Sequence, residues 1–237
     1  MKKQNEVVVV TGASQGIGRE TVKALCRDHG VDVIAVSRNE AALDALVAET
    51  TDGNRAVQPL ALDLIDPSAP ATIARMVGER SVRALVHNAG ALLNIPFGQY
   101  ESQDLLTMFK VNVFAPLLLT QALVHHLSGP PSGHVVHISS MGGFQDSVKF
   151  PGLLGYSSSK AALACLAQCL AEELKELGVS SNCLALGAVD TAMLRRAFPG
   201  YTAPTTAVEM GCFVARFAME GHKQFNGRVL PVSISTP

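Results

Sequence analysis

A run of β-branched residues that ends in a glycine-rich turn limits the folds open to this chain. Glu6 to Val10 is predicted to be a strand, and the turn Thr11-Gly12-Ala13-Ser14-Gln15-Gly16-Ile17-Gly18 leads into a helix predicted from Arg19 to Arg27. The order strand, glycine turn, helix directs backbone N–H groups and the positive end of a helix at one place, where a phosphate binds well. The glycines can also serve only to pack the helix closely on the strand. The turn alone leaves both interpretations open.

The spacing of the glycines narrows the kind of phosphate ligand. Gly12, Gly16 and Gly18 form G-x-x-x-G-x-G, which differs from the dinucleotide pattern G-x-G-x-x-G and from the Walker A pattern. No Gly-Lys-Ser/Thr follows the turn, which disfavours an NTPase.

The end of the second predicted strand, Val31 to Val36, carries Ser37 and Arg38. In a dinucleotide fold this strand end meets the adenosine ribose, where a carboxylate accepts from the 2′-hydroxyl and repels a 2′-phosphate. A hydroxyl and a guanidinium suit a phosphate instead. The pair therefore favours NADPH over NADH, and the alternative is an ordinary surface arginine at a helix start.

Strands and helices alternate along the whole chain, which is typical of an α/β fold with a doubly wound parallel sheet. We predict about seven strands with helices on both faces, in one Rossmann domain that covers residues 1–237. A long helix is predicted from Gln103 to Leu127, with a kink or local unwinding near Asn112 because Pro116 removes a helical hydrogen bond. The remaining predicted elements are strands at Ala56–Leu62, Val82–Val86, Gly133–Ser139, Val179–Leu186 and Arg228–Ile234 and helices at Pro67–Glu79, Tyr156–Leu177 and Thr205–Gly221, together with a helix that begins at Asn39 and ends at the turn Thr51-Asp52-Gly53-Asn54.

The charge balance disfavours several function classes. Only 16% of the residues are charged and the formal net charge is −1, so no basic patch for nucleic acid or for an anionic membrane is expected. The apolar run Val7 to Val10 is far too short to span a bilayer, which favours the cytoplasm. Five cysteines without C-x-x-C spacing, and histidines without partners at ligand spacing, predict no metal site.

One helical segment carries a candidate acid–base group. Tyr156 and Lys160 are four residues apart, so both side chains lie on one helix face. An ammonium beside a phenol favours the phenolate and lowers the phenol pKa, while a nearby hydroxyl such as that of Ser140 could hold a carbonyl oxygen. Any amphipathic helix can place a buried tyrosine and a lysine at this spacing, so the pair alone is weak.

The ordered set of motifs is far more specific than any member. The chain resembles the short-chain dehydrogenase/reductase family over essentially its whole length, through Thr11-Gly12-x-x-x-Gly16-Ile17-Gly18, Asp63, Asn88-Ala89-Gly90, Asn112, Ser140, Tyr156-x-x-x-Lys160 and Gly187-x-x-x-Thr191. The subtype resembles the sepiapterin and benzil reductases. The resemblance implies a catalytic set in which Tyr156 is the general acid, Ser140 holds the substrate oxygen, Lys160 binds the nicotinamide ribose, and Asn112 supports a relay water.

The resemblance also implies which residues bind NADPH. They are Gly12, Ser14, Gln15, Gly16, Ile17, Gly18, Ser37, Arg38, Asp63, Leu64, Asn88, Ala89, Gly90, Tyr156, Lys160, Gly187, Val189 and Thr191. Three departures from the family pattern bear on this set. His87 replaces the first Asn of N-N-A-G, Gln15 is uncharged where many NADPH users carry a basic residue, and Leu186 replaces a proline, which is expected to loosen the turn before Val189.

The segments beyond the strand ends predict an apolar substrate pocket. Their expected wall residues are Leu92, Leu93, Ile95, Phe97, Phe144, Phe150, Leu153, Leu154, Met193, Leu194, Phe198 and Tyr201. Such walls suit an apolar or aromatic ketone, a diketone or a pterin-like carbonyl, which would be reduced to the alcohol.

The resemblance further implies a homodimer or homotetramer. Two rivals are a non-catalytic NADPH-binding redox sensor and an enzyme that epimerises or dehydrates nucleotide sugars.

Overall fold

The computed structural model describes residues 6–50, 56–129 and 132–235. Seven parallel strands form one sheet in the order β3-β2-β1-β4-β5-β6-β9. The elements are β1 Glu6–Thr11, α1 Gly16–His29, β2 Asp32–Ser37, α2 Glu40–Thr50, β3 Val57–Ala61, α3 Ala69–Val77, β4 Ser81–His87, α4 Ser102–Phe109, α5 Ala115–Leu127, β5 His134–Ser140, α6 Leu154–Glu173, β6 Ser180–Leu186, β7 Val189–Asp190, α7 Ala192–Ala197, β8 Thr205–Thr206, α8 Ala207–Glu220 and β9 Val229–Val232. The predicted doubly wound Rossmann sheet is confirmed.

The four consecutive valines of β1 show why the sheet is covered on both faces. Side chains alternate along a strand, so Val8 and Val10 join the core under α1, α2 and α8, while Val7 and Val9 join the core under α3, α5 and α6. All four are fully buried. A continuous apolar run is what a parallel strand between two helical layers requires.

The predicted kink near Asn112 is confirmed as a π-helical turn. Ser102 to Leu127 is one helix in which the turn Lys110–Phe114 separates α4 from α5. Pro116 lies in the first turn of α5, where its missing N–H removes one hydrogen bond from the ladder. The wide turn directs the fully buried side chain of Asn112 out of the helix and onto the backbone of Ala91.

The helix Ser102–Leu127 is long and apolar enough to cross a bilayer by length and composition, the one such helix in the described part of the chain. Core helices of soluble proteins meet the same criterion. Its inner side packs in the core through Leu119, Leu123 and Leu127. Its outer side leaves five large apolar side chains in solvent, and these are Leu105, Leu106, Phe114, Leu117 and Leu118.

The segment after Thr191 contains structure that the sequence analysis did not predict. Ala192 to Ala197 forms α7, whose first turn is capped by the Thr191 hydroxyl accepting from the Leu194 N–H at 3.2 Å. A helix of six residues is too short to show a hydrophobic period. The strand β7 pairs with β8, so the helix predicted from Thr205 begins instead at Ala207.

Candidate active site

A cleft of about 830 Å³ opens at the carboxyl ends of the parallel strands. Loops that follow β1 to β6 converge there because parallel strands all end at one edge of the sheet. Most of the predicted site residues line this cleft. They are Gly12, Ser14, Gln15, Gly16, Ile17, Ser37, Arg38, Asp63, Leu64, Asn88, Ala89, Gly90, Ser140, Tyr156, Lys160, Gly187, Val189 and Thr191.

Gly18 does not line this cleft, and its predicted place beside a pyrophosphate stays a prediction. A Cβ at Gly18 would lie 2.3 Å from Asn88 Nδ2 and 2.4 Å from the Gly12 carbonyl oxygen. The Asn88 amide donates to the carbonyl oxygens of Thr11 and Gly12, both at 3.1 Å. Gly18 therefore allows α1 to approach this junction between the turn and the end of β4.

The start of α1 has the form of a dinucleotide cradle. Gln15 occupies the N-cap without bonding the first turn through its side chain, so the turn's N–H groups stay open to a ligand. Gly16 has φ of +55°, and a Cβ there would lie 3.4 Å from the Thr191 methyl group, inside the space between the two sides of the cleft. A small residue is required for a ligand to pass between them. These residues fit a nicotinamide dinucleotide.

The other end of the cleft carries a hydroxyl pair and a guanidinium. Ser37 Oγ donates to Ser14 Oγ at 2.7 Å. Arg38 faces Asp63 at an N–O distance of 3.9 Å, and its side chain is 78% exposed. An exposed pair at this distance is weak, so the guanidinium remains available to an anion.

Tyr156, Lys160 and Ser140 come together at the inner end of the cleft. The Lys160 ammonium lies 5.9 Å from the centre of the Tyr156 ring, on the same face of α6 as the spacing predicts. The Lys160 ammonium donates to the Ile138 carbonyl oxygen at 2.8 Å. Ser140 Oγ accepts from the Gly142 N–H at 3.1 Å. That bond occupies one acceptor site of the hydroxyl, which can still donate its proton.

Burial sets the titration of this group. It raises the pKa of Tyr156, and a hydrogen bond with Ser140 acts in the opposite direction. Burial also lowers the pKa of Lys160 to about 8. The Lys160 ammonium is directed at the Ile138 carbonyl oxygen, so it makes no hydrogen bond with the phenol in this structure. Ser140 is the residue that favours the phenolate.

Asn112 lies behind the cleft and is hydrogen-bonded to the backbone of Ala91, which lines it. Its Oδ1 accepts from the Ala91 N–H at 2.8 Å, and its Nδ2 donates to the Ala91 carbonyl at 2.9 Å and to Ser159 Oγ at 2.8 Å. The sequence analysis did not select Ser159. Its position three residues after Tyr156 placed it on the same side of α6, which was the available signal.

Six of the predicted wall residues form the substrate end of the cleft, namely Leu92, Phe150, Leu153, Met193, Leu194 and Phe198. The rings of Phe150 and Phe198 meet edge to face at 5.1 Å and join the loop before α6 to the end of α7. The other predicted wall residues do not line the cleft, and these are Leu93, Ile95, Phe97, Phe144, Leu154 and Tyr201. Phe97 is 89% exposed, and Leu154 is 50% exposed.

The turn after β6 is held in place although Leu186 replaces a proline. The Gly187 N–H donates to the Val232 carbonyl at 2.9 Å, and the Ala188 N–H donates to the Ser235 carbonyl at 3.1 Å. Pairing with β9 thus supplies the restraint that the expected proline would give, and the predicted loosening is not seen. Val189 and Thr191 both reach the cleft.

The family model for short chain dehydrogenases matches residues 6–202. The chain belongs to the short-chain dehydrogenase family. It is 35% identical over 176 residues to the L-xylulose reductase of Caenorhabditis elegans, which covers 74% of this chain and 68% of that protein. This membership makes the chain an oxidoreductase, in agreement with the resemblance that the ordered motifs indicated.

Solved structures of short-chain dehydrogenases share the whole fold. One from Shigella flexneri 2a, complexed with NADP, is 29% identical, with a TM-score of 0.85 over 97% of this chain and 99% of that one. Another from Burkholderia cenocepacia, also in complex with NADP, is 27% identical, with a TM-score of 0.85 over 97% of both chains. The sheet whose carboxyl edge forms this cleft is therefore shared with two short-chain dehydrogenases whose structures hold NADP.

Proposed function

We propose that this short-chain dehydrogenase reduces an apolar or aromatic ketone, diketone or pterin-like carbonyl to the alcohol, with NADPH as reductant. The observation that carries the proposal is the convergence of the Tyr156 phenol, the Ser140 hydroxyl and the Lys160 ammonium at the inner end of one cleft. Apolar side chains line the cleft on one side of these groups, and Arg38 lies at the far end.

The chain's own residues would bind and protonate the carbonyl oxygen of the substrate. Bound NADPH supplies a hydride for the carbonyl carbon. Ser140 donates a hydrogen bond to the oxygen, and Tyr156 transfers its phenolic proton to the oxygen as negative charge develops there. Lys160 would hold the nicotinamide ribose beside Tyr156. Asn112, which keeps the Ala91 backbone in place, would support a relay water near Lys160.

Arg38 supports the choice of NADPH over NADH. Gln15 adds no charge near the adenosine ribose, so Arg38 with the Ser37–Ser14 hydroxyl pair would supply the phosphate contacts. The NADP complexes of the two related structures agree with this assignment. Asp63, which lies 3.9 Å from Arg38, would border the adenine of the bound cofactor.

The substrate end supports an apolar substrate. The edge-to-face pair Phe150–Phe198 offers apolar ring surface rather than hydroxyl partners. A sugar such as the one named for the nematode relative would leave its hydroxyl groups without partners against Leu92, Leu153 and Met193.

The apolar outer side of the helix Ser102–Leu127 supports a homodimer or homotetramer. Its exposed residues, led by Phe114 and Leu118, are the kind of surface that a second copy of the chain covers. On α6, Ala164 and Ala167 pack on the chain's own strand β6 against Cys183, whereas Ala161 remains exposed for a partner. A cytoplasmic location also remains our prediction.

The proposal is tested by following loss of NADPH absorbance with a panel of aromatic ketones, diketones and pterins. Tyr156→Phe should lose activity by about 10²- to 10⁴-fold while still binding NADPH. Tyr201→Phe is the matched control, because Tyr201 bonds Ser235 outside the cleft and should leave turnover unchanged. Tight NADPH binding without turnover on the panel would instead favour the redox sensor.

A further inference from the structure

We propose that Ser159 is a positioning residue that fixes the catalytic helix α6 against the Asn88–Ala91 loop through Asn112. The inference rests on the proposed reductase function, in which Tyr156 and Lys160 act from α6. It assigns a role to a residue that does not line the cleft.

The Ser159 hydroxyl is bonded on both sides. It donates to the Tyr156 backbone carbonyl at 2.7 Å and accepts from Asn112 Nδ2 at 2.8 Å. Both Ser159 and Asn112 are fully buried. A hydroxyl is needed for this arrangement because it donates and accepts at once.

Asn112 extends the connection to the loop after β4. The Asn112 amide oxygen accepts from the Ala91 N–H, and one amide N–H donates to the Ala91 carbonyl. The second amide N–H donates to Ser159 Oγ. No donor of this amide remains unused. The three bonds link α6, the π-helical turn and the loop at a single amide group.

This link lies directly beside the Lys160 ammonium. A Cβ at Gly90 would lie 3.3 Å from Lys160 Nζ and 3.5 Å from Asn112 Oδ1. The loop backbone therefore passes between the lysine and the amide with little clearance. A small shift of α6 relative to the loop would change where Tyr156 and Lys160 stand against the nicotinamide side of the cleft.

Loss of the Ser159 hydroxyl should affect the reaction step more than binding. The freed Asn112 N–H would have no partner in buried surroundings, and a buried unpaired donor is costly. The Arg38 end of the cleft would remain as it is, because the Ser159 hydroxyl bonds only Tyr156 and Asn112 among the described residues. A misplacement of Tyr156 lowers the rate of the reaction step, whereas most of the cofactor contacts lie elsewhere in the cleft.

The test compares Ser159→Ala with Ser158→Ala, its exposed neighbour on α6. We expect Ser159→Ala to lower kcat by about tenfold, with KM values within about twofold, and Ser158→Ala to match the unsubstituted protein. In combination with Asn112→Ala, Ser159→Ala should add nothing further, because both remove the same link. Losses that multiply in the double variant would overturn the proposal.

Amide hydrogen exchange at Ala91 provides a readout that does not require turnover. The Ala91 N–H is bonded to Asn112 Oδ1, so it should exchange faster in Ser159→Ala than in Ser158→Ala. Equal exchange in the two variants would overturn the proposal. If the unsubstituted protein reduces no carbonyl, only the proposed function fails, since the exchange comparison still decides whether Ser159 holds the loop.

Discussion

Lys160 directs its ammonium at the backbone carbonyl of Ile138, 2.8 Å away, rather than at the phenol of Tyr156. The lysine is only 3% exposed. A buried ammonium with a carbonyl partner keeps its hydrogen bond but loses the hydration that stabilises its charge. The buried position of Lys160 should therefore make the free energy of unfolding depend on pH.

The pKa of Lys160 gives a prediction about stability against pH. Burial lowers this pKa from 10.5 to about 8, so above about pH 8 the unfolded chain binds a proton that the folded chain has released. The free energy of unfolding should then rise with pH between about 8 and 10.5, by up to about 1.4 kcal/mol per pH unit from this group. Below that window the contribution is constant.

Urea unfolding of the protein and of Lys160→Met over that range measures this effect. Subtracting the two curves removes the other titrating groups, including the buried tyrosine and cysteines. The difference should climb with pH and level off near the ordinary lysine pKa. A flat difference would show that the folded state does not depress the pKa of Lys160.

Arg38 should decide the cofactor preference. Arg38→Ala is expected to raise the Kd for NADPH by roughly tenfold to a hundredfold, because a charge-assisted contact to the 2′-phosphate is lost. The Kd for NADH should stay nearly unchanged. Arg75→Ala, which removes an exposed arginine on α3, is the control in the same titration. Equal weakening of both cofactors in Arg38→Ala would contradict the assignment.

The aromatic pair at the substrate end should control affinity for aryl ketones. Phe198→Ala removes a ring that would contact an aryl ketone and is expected to raise KM for that ketone by about threefold to tenfold, since an aromatic pair contributes about 0.5–1.5 kcal/mol. Steady-state kinetics at saturating NADPH gives the value. Phe97→Ala should have no effect, because Phe97 is 89% exposed and outside the cleft. If Phe97→Ala raised KM and Phe198→Ala did not, Phe97 would belong to the substrate pocket, as the sequence analysis predicted.

The apolar outer side of the helix Ser102–Leu127 should carry the subunit contact. Leu118 is 51% exposed, and Leu118→Glu would place a charge in any interface formed there. Light scattering should show a dimer or tetramer for the unsubstituted protein and a smaller species for the variant. Val148→Glu changes a 64% exposed valine on another segment and should leave the assembly intact. An unsubstituted protein that is monomeric would exclude this interface.

The order of the elements was predictable because local patterns carried it. Four valines in succession predict a strand buried on both faces, and Pro116 with Asn112 predicts a defect in a long helix. The face shared by Tyr156 and Lys160 follows from helical geometry alone. That one domain covers residues 1–237 stays a prediction.

The substrate walls were less predictable because the loops that form them have no period. Only half of the apolar residues named from the sequence line the cleft, and composition could not separate Phe198 from Phe97. The helix α7 brings Phe198 to Phe150, and its six residues left no recognisable pattern. Loop side chains take their direction from contacts that only the folded chain makes.

The sequence by itself determined the sheet, the cleft edge and the helix face that Tyr156 and Lys160 share, since strand runs, glycine spacing and helical periodicity are local properties. Tertiary structure decided which of those side chains contact one another and how burial shifts their pKa values. Ser159 meets Asn112 across 47 positions of the chain, and Asn112 meets Ala91 across 21. Gly18 serves packing, and Lys160 turns to Ile138, because residues far apart in sequence surround them. Burial, and with it the pKa of Tyr156 and Lys160, is a property of those contacts.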